Sequence, residues 1–192
     1  MILKGEAIGK KFGKNWVFRD QNFEIEAGTP AAITGKNGAG KSTLLQIIAG
    51  FLTPSQGTIK INEILIDEAK HLSVLIGPNT EIIEEFTLRE FLHFHEKFKA
   101  PTATIEEMAE SASLPLDKRI LEFSTGMKQR CKLLTSFFFE NDVILMDEPT
   151  SNLDAEGFEW WKNNLIELEN KVIIISSNER NEIEMCTTQL SL

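Results

Sequence analysis

Few folds have room for the octet Gly35-Lys36-Asn37-Gly38-Ala39-Gly40-Lys41-Ser42, placed as it is here between two apolar segments of different period. Ahead of it Ala31-Ala32-Ile33-Thr34 reads as a short buried strand, and behind it Leu44, Ile47, Ile48 and Phe51 recur at i, i+3, i+4 and i+7. Gly50 and Pro54 mark the expected end of that helix. Strand, G-x-x-x-x-G-K-[ST] and helix in that order make a phosphate-binding loop. Glycines let successive N–H groups turn inward around phosphate oxygens, and a helix start contributes the positive end of its dipole. The expected cradle comprises Gly35, Asn37, Gly38, Ala39, Gly40, Lys41, Ser42 and Thr43, with Lys41 reaching the β- and γ-phosphates and the Ser42 hydroxyl ligating Mg²⁺.

The rest of the chain divides by the period of its apolar residues. Residues 1 to about 30 are β-rich, with alternation at Phe23, Ile25 and Ala27 closing at Gly28, and Gly57 to Ile66 alternates again. From Thr87 to about Phe139 the pattern is helical, opened by the capping boxes Thr87-Leu88-Arg89-Glu90 and Thr104-Ile105-Glu106-Glu107, with a first stripe of Leu88, Phe91, Leu92 and Phe98. Val143-Ile144-Leu145-Met146 and Val172-Ile173-Ile174-Ile175 flank a helix carrying Phe158, Trp161, Leu165 and Leu168, which reads as a βαβ unit with a buried parallel sheet. An α/β core interrupted by a mostly helical insert follows.

The strand at Val143 ends in Asp147-Glu148, and ligands of open α/β sheets bind outside the carboxyl ends of the strands. With a phosphate loop upstream, Asp147 is expected to hold Mg²⁺ through water and Glu148 to orient the attacking water.

Two further segments narrow the choice among nucleotide hydrolases. Phe123-Ser124-Thr125-Gly126-Met127-Lys128-Gln129-Arg130 resembles the signature motif of the ATP-binding cassette (ABC) family, and Pro149-Thr150-Ser151-Asn152-Leu153-Asp154 is similar to its D-loop. Phe12 lies where that family usually stacks adenine on an aromatic ring, with Trp16 as the alternative. The resemblance covers essentially the whole chain. It implies an α/β P-loop NTPase with a RecA-like core (31–56 and 140–192), an antiparallel β subdomain (about 1–30 and 57–70) and a helical subdomain (about 80–139). It also implies head-to-tail pairing, in which the signature of one cassette closes over ATP on the other. Ser124 as an N-cap and the N–H groups near Gly126 then form an anion site opposite the γ-phosphate.

The chain departs from the family pattern in three places. No Gln occurs from Gly57 to Lys128, so Pro78 or Asn79 stands where the family places its Mg²⁺-sensing amide, and Asn79 supplies a shorter one. Thr125 occupies the first glycine position of the signature. Asn178 takes the place of the switch histidine, and an amide can hydrogen-bond a γ-phosphate but cannot take up a proton or carry a positive charge. His71, His93 and His95 lie elsewhere and read as surface or packing residues.

Composition limits the partners. A net charge of −9 makes nucleic acid a poor default ligand. Cys131 and Cys186 suggest reduced thiols, the N-terminus lacks a signal-peptide core, and no stretch approaches the roughly 18 apolar residues of a membrane span. The resemblance therefore implies the ATP-binding and ATP-hydrolysing subunit of a transporter, peripheral on the cytoplasmic face of the membrane. Its expected partners are separate transmembrane permease subunits and a second cassette, in an ATP-dependent homodimer or heterodimer. Two alternatives are a soluble cassette acting on ribosomes or DNA without transport, and a catalytically weak cassette paired with an active one. Substrate and direction of transport are not encoded in these motifs.

Overall fold

The structure, a computed structural model, describes all residues from Met1 to Leu192. In chain order the elements are β1 (Ile2–Phe12), β2 (Asn15–Glu26), β3 (Ala31–Thr34), α1 (Lys41–Ile48), β4 (Gln56–Ile61), β5 (Ile64–Leu65), α2 (Ile66–Ala69) and β6 (Ser73–Ile76). They continue with α3 (Leu88–His95), α4 (Ile105–Ser111), α5 (Thr125–Phe137), β7 (Val143–Asp147), α6 (Ala155–Ile166), β8 (Val172–Ser176), α7 (Arg180–Ile183) and β9 (Thr188–Ser191).

The strands form two sheets. One is antiparallel with order β2-β1-β4-β5, and the other has order β6-β7-β8-β3-β9. In the second sheet β7 with β8, β8 with β3 and β3 with β9 are parallel. Every residue of Val143–Met146 and Val172–Ser176 is buried, as expected of parallel strands covered on both faces. The β3–β8 register sets Ile33 beside Ser176, and the β7–β8 register sets Asp147 beside Ser176. The carboxyl ends of three adjacent strands, β7, β8 and β3, are thereby level.

Packing gathers the chain into two compact units, Met1–Leu75 with Asp142–Glu148 and Glu169–Leu192, and Ile76–Asn141 with Pro149–Leu168. The first has a core of Leu3, Ile8, Ile33, Leu44, Ile48, Leu145 and Ile174 among others. The second is helical, with a core that includes Leu88, Leu92, Met108, Leu134 and Phe139. Its helices α3 and α4 start at the two anticipated capping boxes, Thr87 with Glu90 and Thr104 with Glu107. Helix α6, assigned to the 140–192 core by sequence, groups with the helical insert. Trp160 supplies a reason: its Nε1 donates to Ser111 Oγ at 3.0 Å and its ring meets Phe137 edge-on at 5.5 Å.

Two expected helix stripes stop early. Helix α1 ends at Ile48, Gly50 turns into the left-handed region (φ 73°), and Phe51 is 73% exposed instead of continuing the apolar face. Phe98 likewise lies past the end of α3, is 68% exposed, and meets Phe94 at 5.1 Å. Strands β6 and β9 were not anticipated, each being only four residues long. No helix is long and apolar enough to cross a membrane.

Candidate active site

The loop between β3 and α1 is shaped by three glycines in the positive-φ region, Gly35 (150°), Gly38 (83°) and Gly40 (104°). Gly40 is required twice over. It is the N-cap of α1 in a left-handed conformation, and a Cβ there would fall 2.5 Å from Val17 Cγ1 and 2.8 Å from Phe18 Cδ1. No side chain caps α1, so the first-turn N–H groups of the helix are not claimed by a capping oxygen. Such a terminus suits an anion.

Lys41 is 7% exposed, and its Nζ donates to Gly35 O at 2.8 Å. A cleft of about 430 Å³ opens in front of it, lined by Val17, Asn37, Gly38, Gly40, Lys41, Ser42, Thr43, Asp147 and Glu148. Six of the loop residues singled out, Asn37, Gly38, Gly40, Lys41, Ser42 and Thr43, thus share one cavity with Asp147 and Glu148, of a size that small-ligand sites occupy, while Gly35 and Ala39 do not line it. Val17 was missed, since an isolated valine in a strand carries no sequence signal. Phe12 and Trp16 do not line this cleft. Phe12 sits 55% exposed at the end of β1 with the Lys10 ammonium 5.2 Å from its ring, while Trp16 already has the Arg19 guanidinium 4.4 Å from its ring centre. Of the two rings Phe12 is the more exposed, at 55% against 37% for Trp16.

Glu148 adopts φ 49°, a left-handed conformation costly for a side chain with a Cβ, and its N–H donates to Ser176 O at 2.9 Å. That bond to the end of the neighbouring strand turns the chain so that Asp147 and Glu148 both reach the cleft. The donor set also fits a magnesium ion. Ser42 Oγ and the Asp147 carboxylate are hard oxygen ligands in one cleft, and no group of three or more His, Cys, Asp or Glu could hold a metal by itself. A cation that keeps waters and takes phosphate oxygens suits so sparse a set.

Just past β8, Asn178 extends its amide to the loop. In the orientation that satisfies its neighbours, Nδ2 donates to Gly35 O at 2.7 Å and Oδ1 accepts from Lys41 Nζ at 3.2 Å. The Asn37 amide is 2.9 Å away.

The second unit carries the signature segment. Ser124 caps α5, its Oγ accepting from Met127 N–H at 3.2 Å. Gln129, buried within α5, donates to Pro149 O at 2.7 Å, and Arg130 donates to Asp154 Oδ1 at 2.9 Å. Asp154 in turn accepts from Gly157 N–H at 2.8 Å as the N-cap of α6, and these two bonds, the backbone one foremost, hold its carboxyl below the usual carboxylate range. Asn79 belongs to this unit too, exposed on a turn in which Thr80 N–H donates to Gly77 O at 3.1 Å. The histidines are placed as expected for surface and packing: His93 pairs with Glu96 at 2.9 Å, and His95 packs on Phe139 at 4.6 Å, its pKa lowered by burial. Burial also pushes the Cys131 thiol up to about 12.

Known proteins resemble this chain in sequence and in fold. The family profile described as ABC transporter matches residues 18–151. The ABC transporter ATP-binding protein NatA of Bacillus subtilis is 31% identical over 182 residues, covering 86% of this chain and 73% of its own length. The lantibiotic transport ATP-binding protein SrtF of Streptococcus pyogenes is 32% identical over 196 residues, covering 95% of this chain and 82% of its own. Among solved structures, a dimeric ATP-binding cassette bound to ADP and Pi in a post-hydrolysis state superposes with a TM-score of 0.86, at 20% identity, over 99% of this chain and 94% of that one, a likeness of fold.

Proposed function

This chain belongs to the ABC transporter family, and from that premise we propose that it binds and hydrolyses ATP in the β3–α1 cleft to drive separate membrane-spanning subunits. One observation carries the site: Lys41, Ser42, Asp147 and Glu148 line a single cleft at the carboxyl ends of β3 and β7, around an uncapped helix start. Inward N–H groups and Lys41 take the β- and γ-phosphates. Ser42, and Asp147 through water, would hold Mg²⁺, which when bound would supply positive charge to the phosphate oxygens. Glu148 orients a water toward the γ-phosphate and accepts its proton, and Phe12 offers its exposed ring to adenine. Asn178 cannot donate a proton from an imidazole, so hydrolysis is slow, and Asn178→His should raise turnover by about 10-fold.

Ser124 and Gly126 face the γ-phosphate on a second cassette, which makes the working unit an ATP-dependent dimer, held by its partners at the cytoplasmic face of the membrane. The decisive experiment is calorimetric titration of Mg-ATP into the wild-type and Lys41→Ala proteins. Loss of binding in the variant is expected, since the only side-chain cation lining the cleft is removed. Equal affinities would place the nucleotide elsewhere.

A further inference from the structure

Asn178 is tied to the phosphate loop from a different strand. Parallel pairing of β3 with β8, extended by Ser177 N–H donating to Ile33 O at 3.2 Å, fixes the distance between the start of the loop and Asn178. Across that gap, in the amide orientation that satisfies its neighbours, Asn178 Nδ2 donates to Gly35 O at 2.7 Å and Oδ1 accepts from Lys41 Nζ at 3.2 Å, while Lys41 Nζ itself donates to Gly35 O at 2.8 Å. The three groups close a triangle around a nearly buried ammonium. Both acceptors are neutral, so they restrain the cation without neutralising it. An ammonium has three donors. With two directed to fixed protein oxygens, the third is left for the cleft, and the rotamer freedom that a long lysine would lose on meeting phosphate has already been lost.

We propose that Asn178 is a positioning residue that acts on nucleotide through Lys41, holding its ammonium aimed into the cleft before phosphate arrives. This rests on the cleft being the ATP site, and it differs from direct contact with the terminal phosphate in what the affected ligands must share. Lys41 is read as reaching the β-phosphate as well as the γ-phosphate, so Asn178 should matter for any nucleotide with a β-phosphate. Contact with the terminal group would matter for ATP alone. The charge of a substitute decides a second sign: in Asn178→Asp a carboxylate would pair with the ammonium and repel phosphate.

Calorimetric titration of the full chain with AMP, ADP and ATP, with Mg²⁺, separates these cases for wild type, Asn178→Ala, Asn178→Ser and Asn178→Asp. Asn178→Ala should weaken ADP and ATP by the same factor, about tenfold for a hydrogen bond to a charged group, and leave AMP unchanged. Asn178→Ser, which keeps an acceptor, should recover part of the loss, and Asn178→Asp should be weaker than Asn178→Ala for both ligands. ATP weakened with ADP untouched, or no change in either, overturns the proposal. Asn178 is exposed, so folding is not at stake, and melting temperatures serve as the control. A wild-type chain that failed to bind ADP or ATP would instead sink the reading of the cleft itself.

Discussion

Gly126, in the first turn of α5, lies against the backbone carbonyl of Asn152, so that a Cβ on the glycine would come within 2.8 Å of that oxygen. The contact presses the signature segment onto the loop that follows Glu148, and Asn152 meets it in a left-handed conformation (φ 67°). Two effects of Gly126→Ala oppose each other. Alanine gains about 1 kcal/mol of helix propensity, but overpacking against backbone, which cannot swing aside as a side chain can, costs about 1–3 kcal/mol. The expected outcome is net destabilisation, seen as a lower thermal midpoint, together with slower phosphate release. A midpoint raised above wild type would show that the loop yields.

Glu148→Gln keeps the size and hydrogen-bonding capacity of the side chain and removes the carboxylate proposed to accept a proton from water. ATP should still bind while turnover fails, and the ATP-bound chains should accumulate as a dimer. Size-exclusion chromatography with and without Mg-ATP reads this directly. Without ATP, the −9 charge on each chain opposes association, and a monomer is expected. A variant that stays monomeric with ATP bound would point to a different cassette as the natural partner.

Asp154 makes stability depend on acidity. Its carboxyl titrates below the usual range because Gly157 N–H and then Arg130 favour the charged form. For a carboxylate with a depressed folded value, the stabilisation is fully present above the unfolded pKa of about 3.9 and is lost as the pH falls through the folded value. Asp154→Asn retains an acceptor for Gly157 but no charge for Arg130. Urea midpoints for the two proteins should therefore differ at pH 7 and converge below about pH 4. A difference independent of pH would mean the Arg130 pairing contributes nothing.

Much of the site was legible because it is written in neighbouring residues. The glycines of the phosphate loop declare themselves by positive φ values that side chains resist, and Lys41, Ser42 and Asp147-Glu148 stand next to a turn or strand end whose period is visible locally. Capping at Thr87, Thr104 and Ser124 is local for the same reason: each cap bonds a backbone N–H three residues on. Val17 escaped notice because its place in the cleft comes from β2 passing over Gly40, a contact between distant parts of the chain.

Sequence by itself determined the family, the main alternation of strands and helices and the place of the phosphate-loop motif, because backbone freedom and apolar period act over a few residues at a time. Only the tertiary structure decided how far each helix runs, leaving Phe51 and Phe98 outside the stripes they seemed to continue, and which unit claims α6. It also decided the surroundings of Asn178. An asparagine after a buried strand has no evident partner in sequence, and parallel pairing of β8 with β3 is what brings it to Gly35 and Lys41. Register between strands far apart in the chain depends on the whole buried sheet, and no short segment carries that information.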